Sequence, residues 1–298
     1  MKILMNRKPV EGPWGGGNLF VKAFHEHGKH FGHKIVNEFS DDIDLIFMQD
    51  PRYSELGISI NEIIKYKNWK PTTKVVHRVN ECDARKNTND VDHLLRECSK
   101  FTDKTIFVSN WMKEYHTTRG WLCGDTDVVI NGVDHNIFKP GEKIGNKKTN
   151  IVAHHWSNNF MKGFDVYQKI DEFVGSNQDF TFTYIGRQNG TFKNTKIVDP
   201  LFGAELGDEL GRYDLYISAS RHDPGPNHIL ESLACKIPTY VHKDGGGCVE
   251  FAGEDMCFSD FDDLLKIIQS KKYNNNSFVT HSWEKCMIEC FEVIESLV

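Results

Sequence analysis

Residues 223–250, DPGPNHILESLACKIPTYVHKDGGGCVE, hold the densest set of groups able to do chemistry. A carboxylate, Asp223, sits on a Pro/Gly loop, and a second, Glu231, follows inside a short apolar helix pattern. A strand-like run, the glycines Gly245, Gly246 and Gly247 and a third carboxylate, Glu250, complete the stretch. A carboxylate accepting from two vicinal hydroxyls makes charge-assisted hydrogen bonds that suit a diol. Glycines let a ligand approach the backbone, and a helix start presents amides to an anion. Acids, a helix start and a glycine turn at strand ends are what gripping a sugar and a phosphate requires.

A second glycine turn lies near the beginning of the chain. The apolar run KILM at 2–5 predicts a strand, residues 6–17 a Gly/Pro loop ending in Gly15, Gly16 and Gly17, and residues 18–30 a helix. Leu19, Phe20, Ala23 and Phe24 share one face of that helix. On these residues alone, a phosphate-binding loop and an ordinary flexible turn stand level.

The elements that must position these groups follow from periodicity. Strands are expected at 34–39, 44–49, 73–80, 104–109 and 127–132, with helices at 57–68, near 90–100 and at 111–120, the last capped by Asn110. The polar stretch 139–149, KPGEKIGNKKT, is the linker candidate. Beyond it the alternation restarts, with strands at 150–156, 180–186, 195–201 and 214–220 and helices at 164–174, near 204–211, at 261–270 and at 283–298. Strands alternating with helices imply parallel sheets with helices on both faces, and functional groups at the C-terminal strand ends. A length of 298 residues fits two such domains. The expected division is 1–138, 139–280 and a terminal helix over 281–298, with a cleft between the domains, where small-molecule sites favour sitting.

Composition narrows the function classes. A net charge of -6 argues against a general nucleic-acid binder, which carries a basic patch or stripe. No apolar run approaches the ~18 residues of a membrane span, and the start turns polar too early for a signal peptide. A cytoplasmic protein is expected, with peripheral membrane contact left open. The eight cysteines form no Cys-x-x-Cys pair and read as reduced core residues; Cys286 and Cys290 share one buried helix face. The cluster HEHGKHFGH at 25–33 tempts a metal reading, but His25 and His27 point to different helix faces and the ligand spacing is poor, so it reads as surface. Trp14, Trp111, Trp121 and Trp156 are read mostly as core, with Trp14 beside the glycine loop also able to stack on a sugar.

Several segments, taken in order, resemble the retaining GT-B glycosyltransferases, specifically their large family four (glycosyl transferases group 1). GGGNLFVKAF with GHKIV resembles the family's N-terminal glycine loop, helix and strand. FVSNWMKEY, VVINGVDHNIFKP, MKGFD and residues 214–250 resemble its later motifs, the NGVD segment being the most specific. HSWEKCMIECFEVIESL resembles the terminal helix that crosses back onto the first domain. The resemblance implies an α/β GT-B fold, two Rossmann-like domains facing a central cleft. It implies transfer of a sugar from a nucleoside diphosphate sugar to a hydroxyl of a carbohydrate, glycan or lipid-linked acceptor, with retention and without a required metal or other cofactor.

Carried over residue by residue, Glu231 matches the acid that holds the nucleotide ribose. Asp223 takes the place of the acid, commonly Glu, that contacts the transferred sugar; it is one methylene shorter, and a turn or capping role is its rival. Lys162 matches the lysine that stabilises charge on the departing diphosphate. Asp223 and Lys162 are thus the expected catalytic pair. Ser157 stands where the family carries an Arg, and Arg187, at the end of another expected strand, is the candidate replacement. Gly15, Gly16 and Gly17, and separately Gly246 and Gly247, become candidate donor-sugar or phosphate contacts. His154 and His155 end a strand and read as structural. His77, Asn80 and Glu81 are the acceptor-side candidates. Two other classes stay open: a nucleotide-sugar epimerase or phosphorylase-like enzyme on the same fold, and a non-catalytic binding subunit, kept alive by Ser157 and Asp223.

Overall fold

The computed structural model describes residues 1–12, 14–55, 57–121 and 124–298. Pro13, within the expected N-terminal loop, and Cys123 lie outside the described residues. The chain divides into two compact units. Unit 1 comprises Met1–Ala84, Thr88–Gly132 and Trp283–Val298; unit 2 comprises Arg85–Asn87 and Val133–Ser282.

The chain opens with β1 (Lys2–Met5), α1 (Gly16–Gly28), β2 (Lys34–Val36), β3 (Leu45–Met48), α2 (Ile60–Trp69) and β4 (Lys74–Val79). Then come α3 (Asp83–Lys86), α4 (Val91–Ser99), β5 (Lys104–Phe107), α5 (Asn110–Thr117) and β6 (Thr126–Val128). The second half runs β7 (Thr149–His155), α6 (Phe164–Ser176), β8 (Phe180–Gly186), β9 (Lys196–Val198), α7 (Gly203–Leu210) and β10 (Leu215–Ser218). It continues with α8 (Asn227–Ala234), β11 (Thr239–His242), α9 (Gly247–Ala252), β12 (Cys257–Phe258), α10 (Phe261–Ser270) and α11 (Trp283–Glu295).

In unit 1 the sheet order is β2-β1-β3-β4-β5-β6, every pairing parallel. A parallel sheet is covered on both faces, so its strands read as unbroken apolar runs; all four residues of β3, LIFM, are buried. One face packs on α1 and α11, where Phe24 and Phe291 lie 4.8 Å apart between ring centroids. The other packs on α2, α4 and α5 through Ile46, Ile63, Leu95 and Met112. Cys286 and Cys290 are buried in the first of these layers.

Three local readings change. Ser109, not Asn110, caps α5: its backbone is extended and its hydroxyl accepts from the Met112 amide at 3.0 Å. His33 is buried rather than on the surface, with Nε2 3.0 Å from Glu295 of α11. Of the four named tryptophans, Trp121 alone is buried; Trp14 is exposed, and Trp111 and Trp156 are half-buried.

Unit 2 has the order β12-β11-β10-β7-β8-β9, again all parallel. The polar stretch 139–149 lies along this unit: the Gly141 amide donates to Gly211 at 3.2 Å and the Ile144 amide to Arg212 at 3.2 Å. The triple glycine at 245–247 does more than turn, because its last residue starts α9. Among the described residues no helix is long and apolar enough to cross a membrane.

Candidate functional site

In unit 2 the chain adds β8 and β9 on one side of β7, then returns to add β10, β11 and β12 on the other. Such a reversal leaves a crevice at the C-terminal ends of the two strands beside it, the favoured ligand position in open α/β sheets. Here those strands are β7, ending in His154 and His155, and β10, leading towards Asp223.

Lys162 is brought to this point by a single 3-10 turn, Phe160–Lys162. Asn159 opens the turn by accepting from the Met161 amide at 2.8 Å. Gly163 closes it at φ 87°, and a Cβ there would sit 2.3 Å from the Ala219 carbonyl oxygen. Only glycine allows the turn to pack onto the end of β10. The Arg221 amide then donates to Met161 at 2.8 Å, tying the two loops together. The Lys162 Nζ donates to Asp223 Oδ2 at 2.5 Å, with both side chains nearly buried. Burial alone would push the Asp223 carboxyl up; the Lys162 ammonium outweighs it and holds the carboxyl below its ordinary value.

Asp223 is also fixed through its backbone. Its amide donates to Gly245 at 3.0 Å and its carbonyl accepts from Gly247 at 2.8 Å. A Cβ on Gly247 would fall 2.7 Å from the Pro224 carbonyl oxygen. Gly246 and Gly247 therefore let the loops after β10 and β11 close on each other.

Glu231 projects from α8 and is 8% exposed. His154 Nε2 lies 2.8 Å from its Oε2, and the Tyr216 hydroxyl 3.1 Å from His154 Nδ1. An ionised carboxylate can only accept, so Nε2 carries the proton that His154 donates to Glu231. The other Glu231 oxygen has no partner among the described residues. Sequence reasoning treated His154 as structural and did not join it to Glu231; they are 77 residues apart, and the adjacent histidines at a strand end were the one signal.

Beneath lies a layer of neutral histidines. The Ala219 amide donates to the Tyr167 oxygen at 3.0 Å, so the Tyr167 hydroxyl donates to His155 Nε2 at 2.7 Å. His228 Nε2 is 2.9 Å from Ser218 Oγ, and its ring centroid is 4.7 Å from that of His155. Burial lowers both imidazoles well below the ordinary value. Ligand atoms of Asp223, His228 and Cys248 come within 4.8 Å of one another, the one such donor set among the described residues. Lys162 already sits on the Asp223 carboxylate, and burial raises the Cys248 thiol well above its ordinary value. Both features oppose a cation at that point.

In unit 1, α1 starts from Gly15 with no side-chain cap and no acid in its first turn. A Cβ on Gly17 would lie 3.3 Å from both Asn80 Nδ2 and Gln49 Nε2. Asn80 and Glu81 line a pocket with Gln49, Asp50 and Arg52 beyond the ends of β3 and β4.

No family model matches the chain, and no curated protein does. Solved structures match it over nearly its whole length. HepE of Anabaena, in complex with UDP and glucose, aligns with a TM-score of 0.74 at 13% identity, over 99% of this chain and 99% of that one. The sucrose-phosphate synthase of Thermosynechococcus elongatus aligns at 0.72 and 12%, over 99% and 98%. The apo lipopolysaccharide outer core galactosyltransferase WaaB aligns at 0.66 and 13%, over 99% and 100%. The chain has the GT-B fold.

Within this GT-B chain, Lys162, Asp223, Gly246 and Gly247 meet at one corner of unit 2, and Glu231 with His154 lies at the same strand ends. Arg187 stands at the end of β8 with its guanidinium 3.9 Å from the ring centroid of Trp156. The neighbouring loop of Ser157 is tied to it by Asn189 Nδ2 donating to the Asn158 carbonyl at 2.9 Å. In unit 1, Gly17 of the glycine loop faces Asn80, and Glu81, the next residue, is mostly buried.

His77 does not join them. It lies inside β4 at 0% exposure, its ring 6.4 Å from that of Trp121. Neither ring nitrogen has a partner among the described residues, and burial lowers its pKa to about 3. Side chains alternate along a strand, so His77 points into the layer opposite that of Arg78.

Proposed function

We propose that the chain is a retaining glycosyltransferase that moves a sugar from a nucleoside diphosphate sugar to a hydroxyl acceptor without a required metal. The observation that carries the reading is the convergence of Lys162, Asp223 and Glu231 on the β7–β10 ends of a GT-B fold. HepE, a structural neighbour, was solved with UDP and glucose, which makes a UDP-sugar the first donor to test.

In this reading the free oxygen of Glu231 accepts from the ribose diol, while His154 holds the other. The Lys162 ammonium faces the phosphate that leaves. As the bond from the anomeric carbon to the phosphate oxygen breaks, charge grows on that oxygen, and a preorganised cation lowers the barrier. The acceptor oxygen bonds to the anomeric carbon on the same face, and its proton passes to the leaving phosphate. Asp223, freed from part of its contact with Lys162, accepts from sugar hydroxyls. Arg187, stacked on Trp156, supplies the second diphosphate cation in place of Ser157. Asn80 and Glu81 are the acceptor-side residues, and Gly15–Gly17 contact the donor.

Thermal-shift screening with UDP, GDP, ADP and their sugars tests the reading. Stabilisation by one nucleotide family is expected; no stabilisation by any of them contradicts it. Stabilisation without turnover favours a non-catalytic binding subunit.

A further inference from the structure

We infer that Tyr216 is a positioning residue for the nucleotide: through His154 it holds the Glu231 carboxylate in the orientation that selects a ribose over a deoxyribose. The inference rests on the reading of Glu231 as the acid that accepts from the ribose diol.

The three side chains form one line of contacts inside unit 2. In the register of β7 with β10, Tyr216 stands beside Val152, and His154 follows Val152 by two residues, so Tyr216 and His154 project from the same face of the sheet. The Tyr216 hydroxyl lies 3.1 Å from His154 Nδ1 and 3.4 Å from the His154 carbonyl oxygen, and it accepts from the His154 amide at 3.4 Å. On the far side of the ring, Nε2 donates to Glu231 Oε2 at 2.8 Å. A half-turn of the imidazole would put carbon atoms at both places, so the two partners together fix the ring. Burial raises the Tyr216 phenol well above its ordinary value, so the hydroxyl keeps its proton. It therefore partners Nδ1 in either charge state of the ring, donating to an imidazole and accepting from an imidazolium.

Burial makes the arrangement exacting. Tyr216, His154 and Glu231 are all buried, and a carboxylate removed from water depends on partners held in place. Pinned at Oε2, the Glu231 carboxylate presents its other oxygen in one direction, and the ribose must bring both hydroxyls to that geometry. A carboxylate free to rotate would meet one hydroxyl as readily as two. Tyr216 acts on the nucleotide only through His154, so its effect belongs to the sugar contact and not to the base or the diphosphate.

The test is calorimetry of the full chain and its variants with UDP, GDP and ADP, each paired with its 2′-deoxy counterpart. The native chain is expected to bind the ribonucleotide of its preferred base about tenfold more tightly than the deoxy form, the worth of one hydrogen bond to a charged group. Tyr216→Phe keeps the ring and removes only the hydroxyl; its discrimination should fall to about twofold or less, with binding of the deoxy form little changed. His154→Gln keeps an amide donor within reach of Glu231 but leaves no imidazole for Tyr216 to fix. Adding Tyr216→Phe to it should change the discrimination no further. A merely structural role for Tyr216 would weaken both forms alike, and that result overturns the inference. So does full discrimination retained in Tyr216→Phe, or a further loss when it is added to His154→Gln, while the reading of Glu231 survives. A native chain that binds no nucleotide, or binds both forms equally, removes that reading and the inference with it.

Discussion

Lys162 and Asp223, 61 residues apart in the chain, meet with Nζ 2.5 Å from Oδ2 at the end of β10. Each is almost wholly removed from water, so each depends on the other. Lys162→Met should destabilise the protein by about 3–5 kcal/mol, because it strands a buried carboxylate. Adding Asp223→Leu should recover most of that loss. Urea unfolding of the two single variants and the double variant measures the coupling; additive losses would mean the pair is not a unit.

The division of labour between the two acids is testable in the same site. Glu231→Ala should weaken UDP binding by about tenfold or more, since it removes a charge-assisted contact. Asp223→Ala should lower turnover with a smaller effect on binding of the nucleotide alone. Calorimetry with UDP separates them; equal losses of nucleotide affinity would contradict the assignment. Arg187→Ala should weaken the donor through its diphosphate, and unchanged donor affinity and turnover would remove Arg187 from the site.

His77 sets a pH dependence of stability. Its folded pKa, about 3, lies below the ordinary histidine value of 6.5, so between these the unfolded chain binds the extra proton. Its contribution is fully present above about pH 6.5 and lost as pH falls towards 3, at about 1.4 kcal/mol per pH unit. His155 and His228 act in the same direction. His77→Phe, which also removes two ring nitrogens without a partner among the described residues, should raise stability and flatten the slope by about 1.4 kcal/mol per unit between pH 6 and 5. Denaturant midpoints across that range check it; an unchanged slope would show that His77 is charged or solvated in the folded state.

Much of the fold was legible because both sheets are parallel and buried on two faces. Runs such as LIFM and FTFTYIG announce such strands by composition alone. Lys162, Asp223 and Glu231 were legible because each sits in a local motif. Partnerships across the sheet were not: His154 reaches Glu231 over 77 residues, and Tyr216 reaches His154 over 62. His77 is wholly buried within β4, a burial that its position in the sequence does not announce, since a one-residue step turns a side chain to the opposite face. Ser109 and Asn110 are both good caps, and only the extended backbone at Ser109 decides between them.

The central claim is transfer of a sugar from a nucleoside diphosphate donor, and the most direct measurement is release of the nucleoside diphosphate. The native chain and Lys162→Ala are incubated with UDP-, GDP- and ADP-sugars, and the free diphosphate is quantified. Release from at least one donor is predicted, falling by about a hundredfold or more in Lys162→Ala when the leaving charge loses its cation. No release from any donor, with or without hydroxyl acceptors, would contradict the account.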